Sequence, residues 1–160
     1  MGMVKVGKED VNLDDKALEF SQENINDFLT KYASLHRYYQ NKHNDASFIA
    51  KRLNDQHTVL FNSKLREYKV THNLSDKMAE ASAKSDEEVG ALLERVRMAE
   101  YVKDELYGFL KSMDYAHSTA KELCYNMRKE MDSLYGKNVM SSPSTQSDME
   151  SKLKDIYGEG

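Results

Sequence analysis

The sequence predicts an all-α protein. The expected protomer is an elongated helical hairpin, coiled-coil-like, with a long C-terminal helix, and it assembles into a ring or bundle. Three observations carry this. One proline and seven glycines in 160 residues leave long helical runs uninterrupted. An apolar fraction of 39% beside 31% charged residues suits thin helical seams better than one large core. Finally, apolar residues recur at heptad spacing through the second half of the chain.

Taken in order, residues 1–11 have no periodicity and are expected to form a flexible N-terminus. Residues 12–136 form the expected helical domain. From about Asp14 a helical stripe starts, with Leu18, Ile25, Phe28, Tyr32, Leu35 and Tyr39 on one face. The polar run Asn41-Lys42-His43-Asn44-Asp45 is expected to bend or break the helix. Ala46, Ile49 and Leu53 resume the stripe, and Leu60, Leu65 and Tyr68 continue it less regularly. The segment THNLSD at 71–76 ends it, because its side chains compete with the helical backbone for hydrogen bonds.

In Ser85-Asp86-Glu87-Glu88 the S-x-x-E form of a capping box places acidic groups on the positive end of a helix dipole. The helix expected over 85–135 then carries strict four-three steps from Leu92 to Leu134. Its seam includes Leu92, Val96, Leu106, Leu110, Met113, Met127, Met131 and Leu134, with Lys103 and His117 as polar interruptions. A seven-residue period held that long favours a left-handed supercoil. Gly136 is the expected stop. Residues 137–146 read as a linker by composition, and 147–160 as a short C-terminal helix and tail opened by Ser147-Asp148-Met149-Glu150.

Several function classes fall away. No stretch approaches the ~18 apolar residues of a membrane span. The opening MGMVKVGKEDVNLDD has no apolar h-region, and Val6 stands where myristoylation expects Ser or Thr. The single cysteine, Cys124, forms no internal disulfide and suits a reducing compartment, so a cytoplasmic protein (host-cell cytoplasm if phage-encoded) without membrane association is expected. No nucleophile elbow, zinc-protease motif, phosphate loop or cysteine pair occurs, so the chain reads as a non-enzyme with no cofactor. His36 and His43 have no third ligand, and no metal site is expected. Cys124 and His117 fall on the heptad seam and read as packed residues, His117 setting register.

The charge distribution is more informative. The chain holds 27 acidic and 23 basic residues, yet residues 36–72 carry seven basic and three acidic. The cations are Arg37, Lys42, Lys51, Arg52, Lys64, Arg66 and Lys69, with Tyr38, Tyr39, Phe48, Phe61 and Tyr68 interleaved. Cations that track phosphates among rings that stack on bases are the combination that holds single-stranded nucleic acid. Arg37, Lys42, Lys51, Arg52, Lys64, Arg66, Tyr68 and Lys69 are the candidate nucleic-acid residues, with Tyr39 and Tyr68 the rings expected to be available. The bland reading is a solvated basic face paired with acidic partners. The seam likewise has two readings, a hairpin packing on itself or self-assembly, and self-assembly through its eight apolar residues is the expectation.

This layout resembles the UvsY family of phage recombination mediators. The carriers are Lys64-Leu65-Arg66-Glu67-Tyr68, the preceding Tyr32 and Asn41-Lys42-His43, and Asn126-Met127-Arg128, and the pattern covers about residues 12–136. The resemblance implies a non-catalytic homo-oligomer of phage DNA recombination, repair and replication. Such a protein binds single-stranded DNA and helps a RecA-like recombinase displace the single-strand-binding protein. It also implies that Lys64 and Arg66 contact DNA. The sequence departs from the family in Tyr68-Lys69-Val70, in its acidity and in the tail beyond 137. The alternative reading is a coiled-coil adaptor or virion-assembly chaperone that binds no nucleic acid.

Overall fold

The first dozen residues depart from expectation. The computed structural model describes the backbone of residues 2–140 and the side chains of 2–135. In it Gly2–Val6 (β1) and Glu9–Leu13 (β2) form an antiparallel hairpin, with Val4 opposite Val11 and Val6 opposite Glu9. The period-two alternation puts Val4, Val6, Val11 and Leu13 on one buried face and leaves Met3, Lys5, Asp10 and Asn12 exposed. Gly7 opens the two-residue loop at φ 64, a conformation that costs glycine little and that a type II′ turn requires there. The fold is therefore mostly helical with a small two-stranded sheet.

A lone hairpin is marginal in water, and this one rests its apolar face on helices. Val4, Val6, Val11 and Leu13 share a core with Tyr39 and Ala46 of α1 (Ile25–Val70) and with Leu106, Phe109, Leu110 and Met113 of α3 (Glu87–Met140). Tyr39 donates its hydroxyl to the carbonyl of Asn12 at 2.9 Å, and Lys42 pairs with Glu9.

The first long helix starts at Ile25, later than the apolar stripe suggested. Asp14 instead caps a short 3-10 turn over Asp15–Leu18, accepting from the Lys16 N–H at 3.1 Å. The Ser21 N–H then donates to Asn24 Oδ1 at 2.6 Å just before the helix begins. No break occurs at 41–45, and α1 runs 46 residues without interruption. The polar side chains there find partners from a helical backbone: Lys42 meets Glu9, Gln40 donates to Asn44 at 3.2 Å, and His43 lies 5.9 Å from the Tyr107 ring.

The end at 71–75 is as expected. Asn73 takes a left-handed φ of 50, and the Leu74 N–H donates to the Tyr68 carbonyl at 3.3 Å. A ten-residue helix, α2 (Asp76–Ser85), follows, with Ala79 and Ala83 fully buried where small residues let backbones approach. Asp86, one residue beyond the expected Ser85, caps α3 by accepting from the Glu88 and Val89 N–H groups at 3.0 and 3.3 Å. Gly136 does not stop α3, which stays helical to Met140, since one helical glycine costs only ~1 kcal/mol and the chain's proline lies later, at 143.

Two compact units divide the chain, Met1–Ser118 and Thr119–Gly160, with the boundary inside α3. Within the first, α1 and α3 run antiparallel. Tyr39 meets Phe109 edge-on at 4.6 Å, and Tyr32 stacks on His117 at 3.8 Å. Tyr32 also donates to Asp114 at 2.5 Å, and His36 lies 3.2 Å from the same carboxylate. This packing corrects the assembly reading of the seam. Leu106, Leu110 and Met113 are buried inside the protomer in the core shared with α1 and the hairpin, Val96 is buried too, and none of the four is available to a second copy. Leu92 is half-buried. In the second unit Met127 and Cys124 are half-buried, while Met131 and Leu134 are exposed. The linker from 141 and the helix expected from Ser147 lie outside the described residues.

Candidate nucleic-acid interface

A helix advances about 100° per residue, so phase along α1 decides which cations share a face. Taking Arg37 as origin, Lys51, Arg52, Arg66 and Lys69 fall within a sector about 100° wide. Lys42 and Lys64 fall on the opposite side, in the stripe of Tyr39, Ala46 and Leu53. The basic band is thus two sets of cations rather than one.

The inward set is engaged within the protein. Lys64 lies 3.1 Å from Glu88, 3.4 Å from Asp86 and 4.0 Å from Glu67. Tyr68 donates to Asp86 at 3.0 Å, and Lys69, outward by phase but at the last turn of the helix, reaches Asp76 of α2 at 2.9 Å. With Lys42 held by Glu9, four of the eight predicted nucleic-acid residues, Lys42, Lys64, Tyr68 and Lys69, bind carboxylates of the same chain. Donating a hydrogen bond to Glu88 helps raise the Lys64 ammonium above the ordinary lysine range. Partial burial pushes the Asp86 carboxyl up, but hydrogen bonds from Tyr68, Val89, Glu88 and Lys64 outweigh it, and its pKa lies below the usual carboxylate range. This cluster fastens the end of α1 to the start of α3.

The outward set is different. Arg37, Lys51, Arg52 and Arg66 are exposed and form no ion pair with any described residue. Asn41, Asn44 and Asn62 share their face, and Asp55 is the acid within it. Phe48 is there too, 68% exposed and with no ring or cation contact. Of the rings expected to be available, Tyr39 and Tyr68 themselves are not. Tyr39 is 5% exposed, and Tyr68 is tied to Asp86. Tyr38 is 46% exposed, but the Lys42 ammonium lies 5.6 Å from its centroid and Tyr39 meets it edge-on.

Other chemistry is sparse. Among the described residues no three histidine, cysteine or acidic side chains converge as a metal site, and no helix is long and apolar enough to cross a membrane. The His43 Nδ1 is buried without a hydrogen-bond partner. A largely apolar groove of about 610 Å³ lies where Val6 and Gly7 meet Ala46, Ile49 and Leu53 of α1 and Met98, Ala99 and Val102 of α3. No family model, no curated protein and no solved structure matches the chain.

Proposed function

We propose that this is a non-catalytic, helical nucleic-acid-binding protein that holds single-stranded DNA along the outer face of α1. The observation that carries the reading is the set of four exposed arginine and lysine side chains on one helical face without ion pairs to any described residue. Such cations release counterions from a phosphate backbone on binding, at about 0.7 log units of salt dependence per contacted phosphate.

Within that class the particular role is that of a recombination mediator, as the resemblance to the UvsY family implies. The strand would be presented to a RecA-like recombinase in place of the single-strand-binding protein. The residue assignment narrows, since Arg66 of the Lys64-Leu65-Arg66 motif faces outward while Lys64 faces three carboxylates. Self-assembly into a ring or bundle belongs to the same proposal. It would use the exposed end of the seam, Met131 and Leu134, beside Tyr125 and Tyr135. Joining copies multiplies weak individual contacts through effective concentration.

Replacing Arg37, Lys51, Arg52 and Arg66 together by glutamine tests the reading. Strand affinity at low salt should fall at least about tenfold, and the salt slope should flatten by up to about 3 log units per decade. An unchanged affinity and slope would remove the interface. If the native chain ignores oligonucleotides even in dilute buffer, the coiled-coil adaptor or assembly-chaperone reading takes its place.

A further inference from the structure

We propose that Phe48 is a base-stacking residue that makes the α1 face selective for unpaired over paired nucleic acid. The inference rests on the nucleic-acid reading above and adds to it a specificity that charge alone cannot supply. Cations attract single and double strands alike, because both present phosphates. An aromatic ring discriminates, because only a splayed base offers it an open face.

Phe48 meets the requirements one by one. The residue is 68% exposed in the middle of a 46-residue helix, in contact with no other described ring. Lys51 and Arg52 follow it by three and four residues and Asn44 precedes it by four, so all three flank it on the helix surface. Phosphates held by Lys51 and Arg52 would bring the adjoining base over the ring. Tyr38, the other exposed ring of this region, already has the Lys42 ammonium near its face and is a poorer platform. The apolar core does not account for Phe48 either: by helical phase it lies opposite Tyr39 and Ala46, and although one edge lines an open groove with Val6, Glu9, Lys42 and Ile49 it stays 68% exposed. Asp45, Asp55 and Glu9 are the nearby acids, Glu9 being paired with Lys42, and because they oppose a phosphate and an acidic protein alike, a polyglutamate arm separates the two.

The chain contains no tryptophan, which makes the test direct. Phe48→Ala and Phe48→Trp are compared with the native protein on a single-stranded oligonucleotide, on the duplex of the same length, and on polyglutamate. Phe48→Ala should lose about five- to hundredfold in single-strand affinity, the range of one base stack, while duplex binding is unchanged. Phe48→Trp should keep the single-strand affinity, with its emission quenched by the strand and by neither duplex nor polyglutamate. The proposal is overturned if Phe48→Ala binds single strands like the native chain, or loses single strand and duplex equally. It is overturned as well if saturating strand leaves the tryptophan emission unchanged. Quenching by polyglutamate would make the ring part of a protein-docking surface instead. A native chain that binds neither nucleic acid ends the underlying reading; a native chain that binds while Phe48→Ala is silent ends this inference alone.

Discussion

The two sides of α1 carry the same kinds of residue to opposite ends. Inward, Lys42 and Lys64 point at Glu9, Asp86 and Glu88 and hold the hairpin and α3 in position. Outward, Arg37, Lys51, Arg52 and Arg66 have no such partners among the described residues. Lys64 and Arg66 are two positions apart, hence about 200° apart around the helix. A basic motif that reads as one unit along the chain is divided between structure and surface once it coils. Nearness in sequence is a poor guide to shared function inside a helix; phase is the better one.

The strongest way to break this comparison is to ask whether the inner side really is a core. Leu106 is fully buried among the hairpin, α1 and α3. Leu106→Ala should therefore cost about 2–5 kcal/mol in urea unfolding. Because the contact lies within one protomer, sedimentation should show the same mass before and after. A mutant that unfolds like the native chain but loses mass would return Leu106 to an interface between copies.

Asp86 offers a smaller effect that sharpens the same contrast. Asp86→Ala removes the cap of α3 and the acceptor for Tyr68 and Lys64 together, and should lower Tm by about 3–6 °C in a thermal scan. Strand binding should not change. The pH dependence follows from the directions of the shifts. Asp86 titrates below its unfolded value, so its stabilisation is present above the ordinary aspartate pKa and is lost as acid protonates it, below about pH 4. Lys64 titrates above its unfolded value, so its share persists through neutrality and is lost only as alkali exceeds the ordinary lysine range.

The finest test exchanges the two motif residues. Lys64→Gln should lower Tm by about 1–2 °C and leave the salt slope of strand binding intact. Arg66→Gln should do the reverse, sparing Tm and reducing the slope by about 0.7. Equal behaviour of the two mutants would erase the division between inner and outer faces.

Much of the fold is legible in the order of residues alone. The four-three steps of Leu106, Leu110 and Met113 mark a continuously buried seam, and THNLSD marks the turn. What covers the seam is not legible, since Leu106 accepts a helix of its own chain as readily as a copy's. The hairpin escapes notice although Val4, Val6, Val11 and Leu13 alternate around Gly7-Lys8, a pattern too short to stand out beside a 46-residue helix. At the site, helical phase alone separates Lys64 from Arg66. The partners Asp86 and Asp76 cannot be named that way, because their nearness depends on how the chain folds back through α2.

One property of α1 carries a last implication. Its outward cations extend from Arg37 to Arg66 on a single unbroken rod, an axial distance of about 44 Å at 1.5 Å per residue. A rod of fixed pitch works as a ruler. Short oligomers would engage one end of it, longer ones would reach from the first cation to the last, and beyond that span each protomer has nothing further to offer.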